Sequence, residues 1–98
     1  MYNEDRRRFV YELYAPDCEI VIPSRGVRLV GTDAVWEVTK AAMGAAPDRK
    51  MLRVERVLSC GVDTMVCEAA YVNLGEEFVA CSILELRGDQ IRRDTTYR

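Results

Sequence analysis

Thr64-Met65-Val66-Cys67-Glu68-Ala69-Ala70-Tyr71-Val72-Asn73, then Leu74-Gly75-Glu76, then Glu77-Phe78-Val79-Ala80-Cys81-Ser82-Ile83-Leu84-Glu85-Leu86-Arg87, is the stretch that decides the fold. Each flank is rich in β-branched, aromatic and small apolar residues and bounded by turn residues, so both read as strands. A connection this short around a glycine can only close a hairpin. Pairing across Leu74-Gly75 sets Tyr71 opposite Phe78, Ala69 opposite Ala80 and Cys67 opposite Ser82. By the two-residue period, Met65, Cys67, Ala69, Tyr71, Phe78, Ala80, Ser82 and Leu84 share one face. The other face carries Val66, Ala70, Val72, Val79, Cys81 and Ile83, with Glu68 and Glu85 among them.

The pattern extends outward in both directions. Met51–Ser59 and Gln90–Tyr97 are further β segments, joined through Gly61-Val62-Asp63 and Gly88-Asp89, which makes an antiparallel meander. Upstream, the spacing of Phe9, Val10 and Leu13 predicts a helix from about Glu4 to Tyr14, capped by Asn3 and stopped by Pro16. Strands follow at Cys18–Ile22 and Val27–Val30, around the turn Ser24-Arg25-Gly26. A second helix runs from the cap Thr32 to about Ala46, with Val35, Val38, Ala42 and Met43 as its buried stripe and Trp36 at its edge. Two early helices and a late meander give an α+β plan, with residues 1–98 as a single domain. Both sheet faces are apolar, and two helices cover only one of them. A homodimer through the outer sheet face is the economical way to cover the other.

Composition narrows the chemistry. The 98 residues contain no histidine. Imidazole bases, histidine-dependent nucleophile triads and mixed Cys/His zinc sites are thereby excluded. A net charge of −2 gives no footprint for nucleic acid, and Arg6-Arg7-Arg8 reads as a solvated helix face. No apolar run is long enough to cross a membrane, and the first residues lack the order of a signal peptide, so a cytoplasmic protein is expected. Cys18, Cys60, Cys67 and Cys81 contain no C-x-x-C pair, and read as small buried hydrophobes with no metal or cofactor to hold.

Leu13-Tyr14-Ala15-Pro16-Asp17-Cys18-Glu19-Ile20-Val21-Ile22-Pro23, the spaced Gly26-Val27-Arg28-Leu29-Val30-Gly31 before a helix, and the terminal Gly88-Asp89-Gln90-Ile91 with Tyr97 carry a resemblance. From about Arg8 to Arg98 the chain resembles the SnoaL-like branch of the nuclear transport factor 2-like superfamily, which includes ketosteroid isomerases, limonene epoxide hydrolases and polyketide cyclases. The resemblance implies a strongly curved antiparallel sheet wrapped round helices, a dimer, and a ligand cavity inside the cone. It also implies a longer first helix across the mouth; this sequence starts at the second, which predicts a cavity that is open or closed by a partner subunit.

The resemblance does not carry the known catalytic groups across. The isomerase base position, before the proline ending the first strand, is Ile22. The isomerase's second acid falls at Ser82, and the hydrolase acid before the last tyrosine is Thr96. Asp94 is the one remaining candidate for a cavity carboxylate, since the period places it with Thr96 and Arg98. Alternation with Ile91 and Tyr97 inward would instead turn Asp94 outward, paired with a surface arginine. Both placements stand at this point. The cavity lining expected is Tyr14, Ile20, Ile22, Trp36, Cys67, Ala69, Tyr71, Phe78, Ala80, Ser82, Leu84 and Thr96 around Asp94. Tyr14 and Tyr71 are either cavity phenols or core tyrosines, Trp36 either a packing residue or a ligand platform, and Cys67 packing. The expected occupant is a small apolar or weakly polar molecule, held by a binding domain. The alternatives are an isomerase, cyclase or epoxide hydrolase using Asp94 as acid or base, and a non-catalytic interaction module with a filled cavity.

Overall fold

Asp5 begins the described part of the chain, residues 5–98 of a computed structural model. Its side chain accepts from the Arg8 amide at 3.0 Å and caps α1, Arg6–Leu13. The capping role expected of Asn3, and Glu4 in the first turn, lie outside the described residues. The helix also stops one residue before Tyr14, which opens β1 (Tyr14–Ile22) and is already extended. Pro16 therefore sits within the strand instead of ending the helix. Proline offers no amide donor, and the ladder breaks around it: β1 meets the last strand at Tyr14 and again only at Glu19.

After a 3₁₀ turn at Pro23–Arg25, β2 (Val27–Val30) returns antiparallel to β1. Gly31, at φ +92, makes the corner; its amide bonds the Cys18 carbonyl at 2.8 Å, and a Cβ there would stand 3.6 Å from the Pro16 carbonyl. Gly31, not Thr32, is the cap of α2 (Thr32–Ala45), because the corner backbone already occupies the capping position. Of the stripe expected on this helix Val35 is buried, whereas Val38 is 46% exposed and stands on the wall of a cavity. Tyr11 joins the two helices by donating to Asp33 at 2.6 Å.

The remaining strands are β3 (Lys50–Ser59), β4 (Thr64–Asn73), β5 (Glu76–Arg87) and β6 (Gln90–Tyr97). They form one six-stranded sheet in the order β2-β1-β6-β5-β4-β3. The hairpin register is as expected: Tyr71 pairs Phe78, Ala69 pairs Ala80 and Cys67 pairs Ser82. The sheet is mixed, because β1 runs parallel to β6 while every other pair is antiparallel. A parallel pair needs a long crossover, and the whole meander between β1 and β6 supplies it. The curved sheet stays unclosed, with β2 and β3 at its edges, and the helices pack on its concave side around Val10, Tyr14, Cys18, Val35 and Ile91.

Two surface expectations need correction. Arg8 is solvated and paired with Glu12 at 2.8 Å, but Arg6 turns inward and donates to the Arg49 carbonyl. Cys18 is fully buried, whereas Cys60 is exposed in a turn; all four thiols are free. No helix among the described residues is long and apolar enough to cross a membrane.

The β4–β5 turn stores a local cost. Leu74 adopts φ 52 and Gly75 φ 77, so both central residues are left-handed. The Asp48 carboxylate accepts from their amides at 2.8 and 2.7 Å, and those two bonds hold its pKa below the ordinary carboxylate value. A leucine in this region costs about 1–2 kcal/mol relative to residues that tolerate it. Leu74→Asn should therefore raise thermal stability by about 1 kcal/mol, or about 4–8 °C for a domain of this size, in a calorimetric melt. An unchanged melting temperature would contradict the assigned turn geometry.

Candidate functional site

One residue too many in β6 builds the site. Along the β5–β6 ladder Leu86 pairs Ile91 and Glu85 pairs Arg93, so Arg92 is a β-bulge with no partner. A bulge reverses the parity of everything beyond it. Ile91 and Asp94 consequently both point into the concave side, while Tyr97 turns out and is 48% exposed. This decides between the two placements of Asp94. Strict alternation from Ile91 fails because it has no means of counting the bulge. Arg92 and Arg93 on the outer side both reach Glu85, at 2.9 and 3.7 Å.

Asp94 is 7% exposed and is the buried charged side chain among the described residues. Its two oxygens are both engaged. Tyr14 donates to Oδ2 at 2.7 Å, and the Thr96 hydroxyl donates to Oδ1 at 2.7 Å. Thr96 has a single proton and spends it on Asp94, so the 2.8 Å contact between Ser82 and Thr96 has Ser82 as donor. The result is a directed chain, Ser82 to Thr96 to Asp94, with Tyr14 entering from the other side.

Burial holds the Asp94 carboxyl above its ordinary pKa, and the bonds from Thr96 and Tyr14 pull the other way. Tyr14 is pushed well above the usual phenol range, first by burial and then by the charge and hydrogen bond of Asp94. The pair thus keeps the proton on the phenol and leaves the carboxyl as the group able to titrate.

The pair lines a cavity of about 370 Å³, within the range of small-molecule sites. Ile20, Ile22, Cys67, Tyr71, Phe78, Ala80, Ser82, Leu84 and Thr96 all face it, together with Tyr14 and Asp94. Trp36 and Ala69 are not among the lining residues: Trp36, on α2, packs against the buried core, and Ala69, opposite Ala80, is itself buried. Tyr71 and Phe78 stack with centroids 5.6 Å apart and planes 19° from parallel. Burial raises the Cys67 thiol pKa, which suits packing more than nucleophilic work. Glu68 is bonded to Arg56 at 2.6 Å on the outer face.

Sequence reasoning missed the arginines of the wall, Arg6, Arg49 and Arg98. Arg98 had a signal, since it shares parity with Asp94 and Thr96. Arg49 had none, because it stands in the α2–β3 connection. The helical contribution, from Phe9, Val10, Leu13, Val35 and Ala42, was visible as apolar stripes, but not as cavity wall.

The buried carboxyl makes a stability prediction. A folded-state pKa above the unfolded one means that the folded protein holds this proton more tightly. The contribution favours folding below the ordinary carboxylate value and is lost as pH rises through the folded value. Asp94→Asn carries no such titration. The urea midpoint of the wild type should therefore fall relative to Asp94→Asn as pH rises from about 4 through the raised folded value, with other titrations cancelling. A constant difference across that window would exclude a buried titrating acid.

No family model and no curated protein matches the sequence. Solved structures do match. An NTF-2-like protein of unknown function from Burkholderia xenovorans superposes with a TM-score of 0.78 at 20% identity, over 94% of this chain and 69% of its own. A Catenulispora acidiphila protein with a ketosteroid isomerase-like fold, solved in complex with trimethylamine, gives 0.81 at 19% identity, over 97% and 75%. A candidate SnoaL-like polyketide cyclase from Jannaschia sp. gives 0.80 at 16% identity, over 95% and 72%. At these identities the likeness is one of fold: the chain has the curved α+β fold that these NTF-2-like, ketosteroid isomerase-like and SnoaL-like structures share.

Proposed function

We propose that this chain is a small-molecule-binding domain that encloses an apolar ligand against the buried Asp94 carboxyl. The observation that carries the reading is one carboxylic acid, desolvated and held by Tyr14 and Thr96, on the wall of a mainly apolar cavity. An acid is costly to bury, and here it faces a space of ligand size instead of packed core. Its neighbours in fold include a candidate polyketide cyclase and a ketosteroid isomerase-like protein solved with trimethylamine bound, so small organic molecules are taken up on this architecture.

The raised pKa of Asp94 favours a second reading, acid–base catalysis. In that reading the Asp94 carboxylate takes a proton from carbon next to a carbonyl. In a β,γ-unsaturated ketone the C–H pair becomes a double bond from the α carbon to the carbonyl carbon as the carbonyl π pair moves onto oxygen. The oxygen pair then re-forms the carbonyl, the double bonds shift to leave one at the α,β position, and the γ carbon takes the proton back from the acid. Tyr14 and Thr96 keep the carboxyl oriented through both steps, because each bonds one oxygen and leaves the outward lone pairs to the cavity. Such an enzyme needs no added oxidant, reductant or nucleophile.

The outer sheet face supports association of two copies. Leu58, Val79 and Tyr97 are each about half exposed on it, beside the charged pairs of Glu68 and Glu85. Light scattering at micromolar concentration should give twice the chain mass, and Val79→Asp should return it toward one chain. A wild-type monomer would remove the dimer.

The binding reading is tested by thermal shift against steroid ketones, terpenoid epoxides and aromatic polyketides. A true ligand at about 100 times its Kd should add about 2.7 kcal/mol of stability. Ala80→Trp, which fills the cavity, should abolish that shift, and a panel without any stabiliser would count against the reading. Where a stabiliser is also turned over, Asp94→Asn should lower kcat by at least about a hundredfold; unchanged turnover would sink the catalytic role.

A further inference from the structure

The hydroxyl protons around Asp94 are already committed. Tyr14 gives its proton to Asp94 Oδ2 and Thr96 gives its own to Oδ1, each at 2.7 Å. Ser82 in turn donates to Thr96 at 2.8 Å. A hydroxyl has a single proton, so Tyr14, Ser82 and Thr96 stand on the cavity wall with only lone pairs left to offer. Thr39, the hydroxyl that α2 adds to the wall, spends its proton on the Val35 carbonyl at 2.8 Å. Cys67, paired with Ser82 across the hairpin, brings a thiol, which is a weak donor. An ionised carboxylate accepts only, and the two hydroxyls fill two of its roughly four lone-pair sites. Arg49 lies over the Tyr71 ring, Arg98 lies over Phe78, and Arg6 donates to the Arg49 carbonyl. Neither those arginines nor Tyr71 bonds the Asp94 cluster. The Asp94 end of the cavity is therefore a group of acceptors.

We propose that the cavity selects an apolar alcohol, whose hydroxyl donates to the Asp94–Ser82 cluster, over the ketone of the same carbon skeleton. The proposal rests on the ligand-binding reading above and adds the class of ligand and the end at which its polar group sits. A hydroxyl placed here gives its proton to a free lone pair of Asp94 or Ser82. A carbonyl oxygen in the same place meets only lone pairs. It gives up its bonds to water and gains none in return, and a buried acceptor left unpaired is what lets a polar site discriminate strongly. Asp94 sets the direction of the whole chain: a carboxylate cannot donate, so Tyr14 and Thr96 must, and Ser82 follows. Asp94→Asn reverses that direction, because the amide puts an NH₂ where one oxygen stood. The hydroxyl facing the NH₂ becomes an acceptor and its proton is released. On one side the Tyr14 proton turns to the cavity. On the other, Thr96 turns its proton to Ser82, and the Ser82 proton turns to the cavity. Either way the wall gains a donor that suits a ketone.

Titration calorimetry of the full chain with 2-decanol and 2-decanone, at about pH 8 and so above the ordinary carboxylate range, tests this. The two probes share one skeleton and differ in whether the oxygen carries a proton. The alcohol should bind the wild type at least about tenfold more tightly than the ketone, as expected for a hydrogen bond to a charged group. In Asp94→Asn the preference should fall below about threefold or turn to the ketone. The wild-type ratio decides the matter should that variant not fold. A ketone that binds the wild type within tenfold of the alcohol would overturn the selection and leave the cavity reading standing. So would an alcohol preference that stays above threefold in Asp94→Asn, since it would belong to another part of the wall. Failure of both probes to bind would overturn the selection and the cavity reading together.

Discussion

The bulge at Arg92 is the constraint on which the site depends. Without it, residues beyond Ile91 would present the opposite face, Asp94 would meet solvent, and Tyr97 would enter the cavity. The same position disturbs both neighbours of β6. On the β5 side Arg92 has no partner, and on the β1 side the four residues Ala15–Cys18 stand against it. Pro16, which cannot donate to a ladder, falls within those four. One irregularity therefore spans three strands in the middle of the sheet, bends it, and aims Asp94 at Tyr14.

Burial of Asp94 has a price, and its neighbours offset it. Desolvation disfavours the carboxylate, while hydrogen bonds from a phenol and a hydroxyl favour it. The balance leaves an acid whose proton is easier to hold than usual but is not locked in place. Such a group is expensive as a structural element, since an apolar residue of similar volume would fill the position at no desolvation cost. Its presence on a cavity wall is what gives the functional reading weight. Tyr14, the partner, comes from the first residue of β1, so the pair also ties the start of the sheet to its last strand.

The hairpin at Leu74-Gly75 was legible because its evidence is local. Two residues of turn and a two-residue side-chain period fix Tyr71 against Phe78 and Cys67 against Ser82, with no knowledge of the rest of the chain. The end of α1 was less legible. Pro16 signals that a helix cannot continue, but the helix ends before Tyr14 because β1 already claims that residue for pairing with Ile91. Trp36 was ambiguous for a related reason: a large aromatic at a helix edge can face a cavity or a sheet, and only packing decides.

By itself the sequence determined the meander, the register of the β4–β5 hairpin, the two helices and the absence of imidazole chemistry, because each follows from spacing, turn chemistry or composition. Tertiary structure alone decided the parallel pairing of β1 with β6, the bulge that turns Asp94 inward, and the placing of Arg6, Arg49 and Arg98 on the cavity wall. Each depends on pairing between separate elements: Arg6 reaches Arg49 across 43 positions and Tyr14 reaches Asp94 across 80, while the bulge exists only where β6 is laid against β5. A periodic reading of one strand cannot count a residue that its neighbour leaves unpaired.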